Sequence, residues 1–186
     1  MSFKLIVFQG PSASGKSTLQ ALLDIPKVVT WTSRASREGE VNGVDYHFVT
    51  KEIMCKMFEE GNMLEMTEYQ GNYYGTSMLS INQIMNGQQL NSVVMDAKGV
   101  KILKERFHDR ILVIGVTADK EQCRLRLLSR NTDDKDVTRR LASYEEEVST
   151  LSQCDLVIYN TEENREKAKR MISYIKRGLV ENSELL

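Results

Sequence analysis

Gly10-Pro11-Ser12-Ala13-Ser14-Gly15-Lys16-Ser17 fits the pattern G-x-x-x-x-G-K-[ST], a loop whose backbone N–H groups wrap the phosphates of a nucleotide. The run in front of it, Lys4-Leu5-Ile6-Val7-Phe8-Gln9, is short and apolar, the signature of a buried parallel strand. Behind it, Leu19, Leu22 and Leu23 recur at helical spacing between Ser17 and Asp24. Strand, glycine loop and helix in this order set a helix start, with its unpaired N–H groups and positive dipole end, where a phosphate would sit. Gly10 and Gly15 suit positions where a Cβ would obstruct the tight turn or the approach of phosphate. The stretch implies binding of a nucleoside triphosphate, with Lys16 reaching the β- and γ-phosphates and the Ser17 hydroxyl on Mg²⁺. Ser12, Ala13, Ser14 and Thr18 complete the expected cradle. An ordinary Gly/Ser turn after a strand is the plainer alternative.

The rest of the chain alternates strand and helix signals, which argues for an α/β fold. Val28–Thr32, Ser92–Asp96, Ile111–Val116 and Leu156–Tyr159 read as strands that join the first in a parallel core sheet. Helical spacing runs over Ile53–Glu60, Met78–Met85, Val100–Phe107 and Asp119–Ser129, the last opened by Asp119 and Gln122 as a capping-box variant. A longer helix is expected over Asp136–Leu151, and a final one over Glu162–Gly178 capped by Thr161. Between them, the polar stretch Ser33–Asp45 carries Gly39 and Gly43 and reads as loop or hairpin. Met63–Tyr69 and the turn Gly71–Gly75 suggest a small antiparallel or mixed sheet.

At 186 residues and 41% hydrophobic, the chain can bury one good core with an insert or lid, and no linker divides it. The 25 Lys and Arg against 26 Asp and Glu leave a net charge of -1, which gives no reason to expect a nucleic acid polymer or an anionic membrane as partner. The apolar runs are too short to span a bilayer, and Met1-Ser2-Phe3-Lys4 leads straight into the first strand without a signal-peptide layout, so the cytoplasm is expected. Cys55, Cys123 and Cys154 are far apart and lack metal-ligand spacing, so they read as reduced thiols. His47 and His108 stand alone and read as structural. The residues are neutral between monomer and homo-oligomer.

Phosphoryl transfer needs positive charge around the moving group and a second cradle for the acceptor. Arg34 and Arg37 lie in the polar insert, while Arg126, Arg130 and Arg140 flank Asn131-Thr132-Asp133-Asp134-Lys135-Asp136. A guanidinium fork suits phosphate oxygens because two parallel N–H bonds fix orientation as well as charge. On spacing alone, the same arginines could equally be a solvated face.

Thr32-Ser33-Arg34-Ala35-Ser36-Arg37-Glu38-Gly39-Glu40-Val41-Asn42-Gly43-Val44-Asp45-Tyr46-His47-Phe48 resembles the T-x-R-x-x-R-x-G-E-x-x-G-x-D-Y-x-F segment of the guanylate kinases. Leu64-Glu65 followed by Gly71-Asn72-Tyr73-Tyr74-Gly75-Thr76, then Val94-Met95-Asp96 and Arg126 to Leu141, are similar to that family's later motifs in its order. The resemblance implies a P-loop NTPase three-layer fold: a parallel core sheet flanked by helices, with an inserted small mixed-sheet NMP-binding region and a lid. One domain over 1–186 is implied, with core 1–32 and 88–186, insert 33–87 and lid about 126–140. It also implies ATP-dependent transfer to GMP or dGMP with Mg²⁺, giving GDP or dGDP and ADP. Carried over, the acceptor phosphate falls to Arg34, Arg37, Tyr46 and Tyr74, and the guanine to Glu65, Thr76, Thr30 and Asp96. A carboxylate can accept from guanine N1–H and its exocyclic amine together, a donor pair that adenine lacks. Lys16, Arg126, Arg130 and Arg140 would be the catalytic and lid cations.

Three positions and one interval depart from the family pattern: Val94 stands where a second acid is usual, Asn131 where Gly is usual and Ser36 where Pro is usual, and the stretch from Arg130 to Arg140 is one residue shorter. Two other readings stay open on the sequence: a guanylate-kinase-like binding module without turnover, and a small kinase for another phosphorylated acceptor.

Overall fold

The computed structural model describes residues 3–69, 71–129 and 133–179. Strand β1 (Leu5–Gln9) leads through the glycine loop into helix α1 (Lys16–Leu22), and the chain then forms β2 (Thr30–Thr32), β3 (Tyr46–Phe48) and α2 (Lys51–Glu59). A hairpin of β4 (Met63–Tyr69) and β5 (Asn72–Ser77) leads into α3 (Met78–Asn86), followed by β6 (Asn91–Val94), α4 (Ala97–Phe107) and β7 (Ile111–Thr117). Helices α5 (Lys120–Leu128), α6 (Asp134–Leu141) and α7 (Tyr144–Ser149) precede β8 (Leu156–Tyr159) and α8 (Arg165–Leu179).

Two sheets result among the described residues. The core sheet has the order β6-β1-β7-β8, all parallel. Alternation along β1 builds the three layers: Leu5 and Val7 pack with Ile81, Met85, Val100 and Leu103 on one face, while Ile6 and Phe8 pack with Leu19, Leu23, Ala168 and Ile172 on the other. Each such buried aliphatic or aromatic side chain is worth about 1.5–3 kcal/mol relative to exposure. A third cluster, Cys123, Leu127, Val137, Leu141 and Tyr144, joins α5, α6 and α7. The second sheet is mixed, with the order β3-β2-β5-β4. There β2 runs parallel to β3 and antiparallel to β5.

The segment near residue 28 is not a core strand. Val28 donates its N–H to the Ser92 carbonyl at 2.8 Å and Lys27 bridges Ser92, but the chain then leaves the core edge. From Thr30 onward its backbone groups are paired on both sides by β3 and β5, so it serves as a central strand of the second sheet. The long helix expected over Asp136–Leu151 is broken at Ala142 and Ser143 into α6 and α7. The break lets Tyr144 bury its ring and donate its hydroxyl to the Ala118 carbonyl at 2.7 Å. Asp119 makes no side-chain cap on α5, and the Gln122 side chain instead accepts the Glu162 N–H at 3.0 Å. Thr161 does accept the Asn164 N–H at 3.3 Å, one residue ahead of α8. Cys55, Cys123 and Cys154 are unpaired thiols, and among the described residues no helix is long and apolar enough to cross a membrane.

Candidate active site

The phosphate loop is a backbone device held in shape from behind. Gly10 has φ +137° and Gly15 φ +100°, and a Cβ on the first would drive into the Val116 carbonyl while one on the second would strike the Asn160 amide. Ala13, at φ +60°, is one of the loop's strained positions without being glycine. The Ser14 carbonyl accepts from the Asn160 side chain at 2.7 Å. Arg126 reaches the Ala13 and Ser14 carbonyls at 3.3 Å each and the Asn160 carbonyl at 2.7 Å. Lys16 arches over the turn to the Gly10 and Pro11 carbonyls, at 2.7 and 2.8 Å. Carbonyls engaged in this way leave the loop's remaining N–H groups available to an anion.

Opposite the loop stands the inner face of the second sheet, across a cleft of about 360 Å³. Strand alternation explains its lining. Glu65, Thr67 and Tyr69 lie two residues apart on β4, and Tyr74 and Thr76, also two apart on β5, pair with Thr67 and Glu65. Gly10, Ser12, Lys16 and Ser17 line the cleft from the loop, Thr30 from β2, Asp96 from the start of α4 and Arg140 from α6. Arg34, Arg37 and Tyr46 close it at the far end.

Arg34 is held by a two-pronged contact with Glu40, 2.9 Å on each arm, and lies over the rings of Tyr46 and Phe48 at 5.5 and 5.6 Å. Glu40 also accepts the Arg37 N–H at 2.7 Å, so one carboxylate shapes both arginine positions. Arg34 holds the Glu40 carboxyl below the usual carboxylate range. The Thr32 hydroxyl and the Ser33 hydroxyl pin this segment to Tyr73, at 3.0 and 2.8 Å.

Glu65 is only 6% exposed. Burial, with Asp96 adding repulsion, pushes its pKa up to about 7 against the pull of the Thr76 hydroxyl and N–H. Asp96 caps α4 by accepting the Gly99 N–H at 2.8 Å on one oxygen. Burial likewise raises Tyr46, with Tyr74 adding to it, so the phenol stays a neutral donor.

Most residues singled out from the sequence therefore converge on one cleft, but not all. Ala13, Gly15, Thr18 and Arg126 line a second cavity of about 340 Å³ together with Asn160, Arg165 and Lys169. Ser14 is fully buried within the loop. Arg130 and Asn131 lie outside the described residues.

The sequence reading passed over Asn160, Glu40, Thr67, Tyr69 and Glu147. Glu147 lines the cleft from α7. Burial raises its pKa, while the Ser143 hydroxyl at 2.7 Å, the Lys16 ammonium and the Ser12 N–H oppose the rise. Period-two alternation from Glu65 could have found Thr67 and Tyr69, whereas no local pattern marks Glu147 or Asn160.

A sequence model of the guanylate kinase family, described as "Guanylate kinase", matches residues 2–175. The chain belongs to the guanylate kinase family. It is 36% identical over 176 residues to a guanylate kinase of Lactococcus lactis subsp. lactis, covering 90% of this chain and 86% of the relative. To a guanylate kinase of Helicobacter pylori it is 35% identical over 184 residues, covering 96% and 88%. The crystal structure of guanylate kinase from Anaplasma phagocytophilum superposes with a TM-score of 0.73 at 26% identity, over 96% of this chain and 87% of that one. Membership makes this a nucleoside monophosphate kinase of the P-loop fold.

Proposed function

We propose that this chain transfers the γ-phosphoryl group of ATP to GMP or dGMP, giving ADP and GDP or dGDP, as a single domain over 1–186 working in the cytoplasm. The observation that carries the reading is Glu65: a buried carboxylate facing the same cleft as the phosphate loop. Thr76 hydrogen-bonds it, and a carboxylate can accept from two guanine N–H donors at once. Guanine would rest on Glu65, Thr76, Thr30 and Asp96, and its phosphate on Arg34, Arg37, Tyr46 and Tyr74. The triphosphate of ATP would lie in the amides from Gly10 to Thr18, with Lys16 at its β- and γ-phosphates. Arg140, Arg126 and Arg130 would neutralise charge as the lid, about 126–140, closes on the core, 1–32 and 88–186, and the acceptor insert, 33–87.

The donor set suits Mg²⁺. The Ser17 hydroxyl and the Asp96 and Glu147 carboxyls bring hard oxygens to one cleft, and no group of three or more His, Cys, Asp or Glu converges among the described residues. Such an ion keeps several waters and leans on substrate phosphates rather than a protein cage. When bound, it would neutralise charge on the triphosphate. Ser17 is the residue assigned to hold it.

The binding-module reading is not favoured, because the complete loop and the family's named kinases weigh against it. A panel of GMP, dGMP, AMP, CMP and UMP with ATP and Mg²⁺, followed by ADP release, tests the proposal. Guanylates should turn over and the others fall behind by orders of magnitude. Absence of guanylate-dependent ADP release, or equal rates with AMP, would refute it.

A further inference from the structure

Three polar atoms in the cleft are buried without a hydrogen-bond partner: Thr67 Oγ1, Tyr69 Oη and Arg140 Nε. Such groups are costly to leave unpaired, about 1–3 kcal/mol each, so a cluster of them in one cavity marks where a ligand completes the protein. Among the three, Tyr69 occupies the most telling place. It stands at the end of the β4 face that begins with Glu65, two register steps and about 13 Å along the strand. Its ring meets Tyr74 edge-on, with centroids 6.3 Å apart, and Tyr74 meets Tyr46 at the same spacing. Its hydroxyl is near enough to Ser12 of the phosphate loop and to Arg140 for both to pull on its proton, although it makes no hydrogen bond of good geometry. Tyr46 and Tyr74 lie toward Arg34, while Tyr69 ends where loop and lid meet.

We infer that Tyr69 is a further catalytic residue, whose hydroxyl donates to a peripheral oxygen of the phosphoryl group while it passes between the two nucleotides. The inference rests on the proposed function of this cleft. A neutral phenol is suited to the task, because it offers one directed donor in a water-poor site without adding charge. Burial keeps the phenol protonated, raising its pKa against the pull of Ser12 and Arg140. The bond that forms is acceptor oxygen to phosphorus and the bond that breaks is phosphorus to the bridging oxygen of ADP, so Tyr69 keeps its proton throughout. Thr67, opposite Tyr74 in the hairpin, shares this face between base and phosphoryl positions.

Tyr69→Phe tests the assignment, since it keeps the ring and its contact with Tyr74 and removes one oxygen. With ATP and GMP, kcat should fall about 10- to 100-fold while KM for GMP moves less than threefold. Binding of ADP, GMP and aluminium fluoride together, which mimics the moving phosphoryl group, should weaken by a similar factor. Binding of GMP alone should not change. The melting temperature should hold or rise, because an unpaired buried hydroxyl has gone. A kcat within twofold of the wild type would overturn the inference, and so would a loss confined to KM. A wild-type protein that never phosphorylates guanylate would instead sink the reading of the cleft itself.

Discussion

The two walls of the cleft solve anion binding in opposite ways. On the loop side nearly everything is main chain, and most of it is held without a ligand: Asn160, Arg126 and Lys16 hydrogen-bond the carbonyls of Gly10, Pro11, Ala13 and Ser14, and only the Ser14 hydroxyl is buried without a partner among the described loop residues. On the sheet side the work falls to side chains, and the site is unfinished. Glu65 is buried with its charge disfavoured, and Thr67 and Tyr69 have buried hydroxyls with no partner. A phosphate chain is the same for every nucleotide, so a fixed backbone cradle serves it. A base must be told from other bases, which requires polar groups that stay uncomfortable until the right partner arrives. Base specificity in this protein is therefore stored as local instability on the sheet wall.

Lys16→Ala strikes the finished wall at its chemical end and should have the largest effect. Turnover should drop about a thousandfold or more, on the scale seen when a single charge-stabilising donor is lost. Two hydrogen bonds from a charged donor to loop carbonyls also go, costing about 1.5–3 kcal/mol each, so thermal melting should show a lowered but still cooperative transition. Residual turnover above a tenth of the wild type would mean that the ammonium is dispensable.

Glu65→Gln should stabilise the empty protein, the reverse of most buried substitutions. A carboxyl raised to about 7 in the fold contributes most favourably below its ordinary range near 4.5 and loses that contribution as pH climbs through 7. Ionised Glu65 therefore costs the empty fold about 3 kcal/mol at pH 8 at the upper bound. Glutamine removes that cost, so denaturant melts at pH 8 should favour the variant and melts at pH 5 should bring the two proteins together. Equal stability at both values would deny that the sheet wall is strained.

Guanine needs the ionised carboxyl, so pH should move acceptor binding in the wild type. Between pH 8 and pH 6 the KM for GMP should rise about tenfold, as expected for a group titrating near 7, while KM for ATP stays flatter. The Glu65→Gln variant supplies the baseline for titration of the GMP phosphate itself, which lies near 6. Parallel profiles in both proteins would remove Glu65 from the explanation.

Asn160→Ala probes the brace behind the loop and should give the smallest change. It removes the 2.7 Å hydrogen bond to the Ser14 carbonyl, worth about 1 kcal/mol. ATP affinity should loosen while the KM for GMP holds. A shift in both would show that the walls are coupled through the loop.

The sequence exposed the loop wall almost completely, because glycines at fixed spacing between a strand and a helix announce a backbone device directly. The sheet wall was readable only through the family motif around Arg34, Glu65 and Tyr74. Thr67 and Tyr69 sit on that face by simple alternation, yet an acceptor face rich in polar side chains looks like any solvated strand edge until its partner layer is known. Asn160, 146 residues from the carbonyl it holds, and Glu147, whose carboxyl feels the Lys16 charge from another helix, have no sequence-local signature at all. The misassigned segment near residue 28 has the same origin: its strand character was right, but which sheet it joins depends on β3 and β5 flanking it.

Base discrimination in Glu65→Gln bears most directly on the division between the walls. The ratio of kcat/KM for GMP to that for AMP, measured at saturating ATP, should fall by about 5- to 150-fold, equivalent to about 1–3 kcal/mol. Lys16-dependent transfer itself should persist. A variant that keeps the wild-type ratio would show that guanine is read elsewhere and that the buried carboxylate is not the selector.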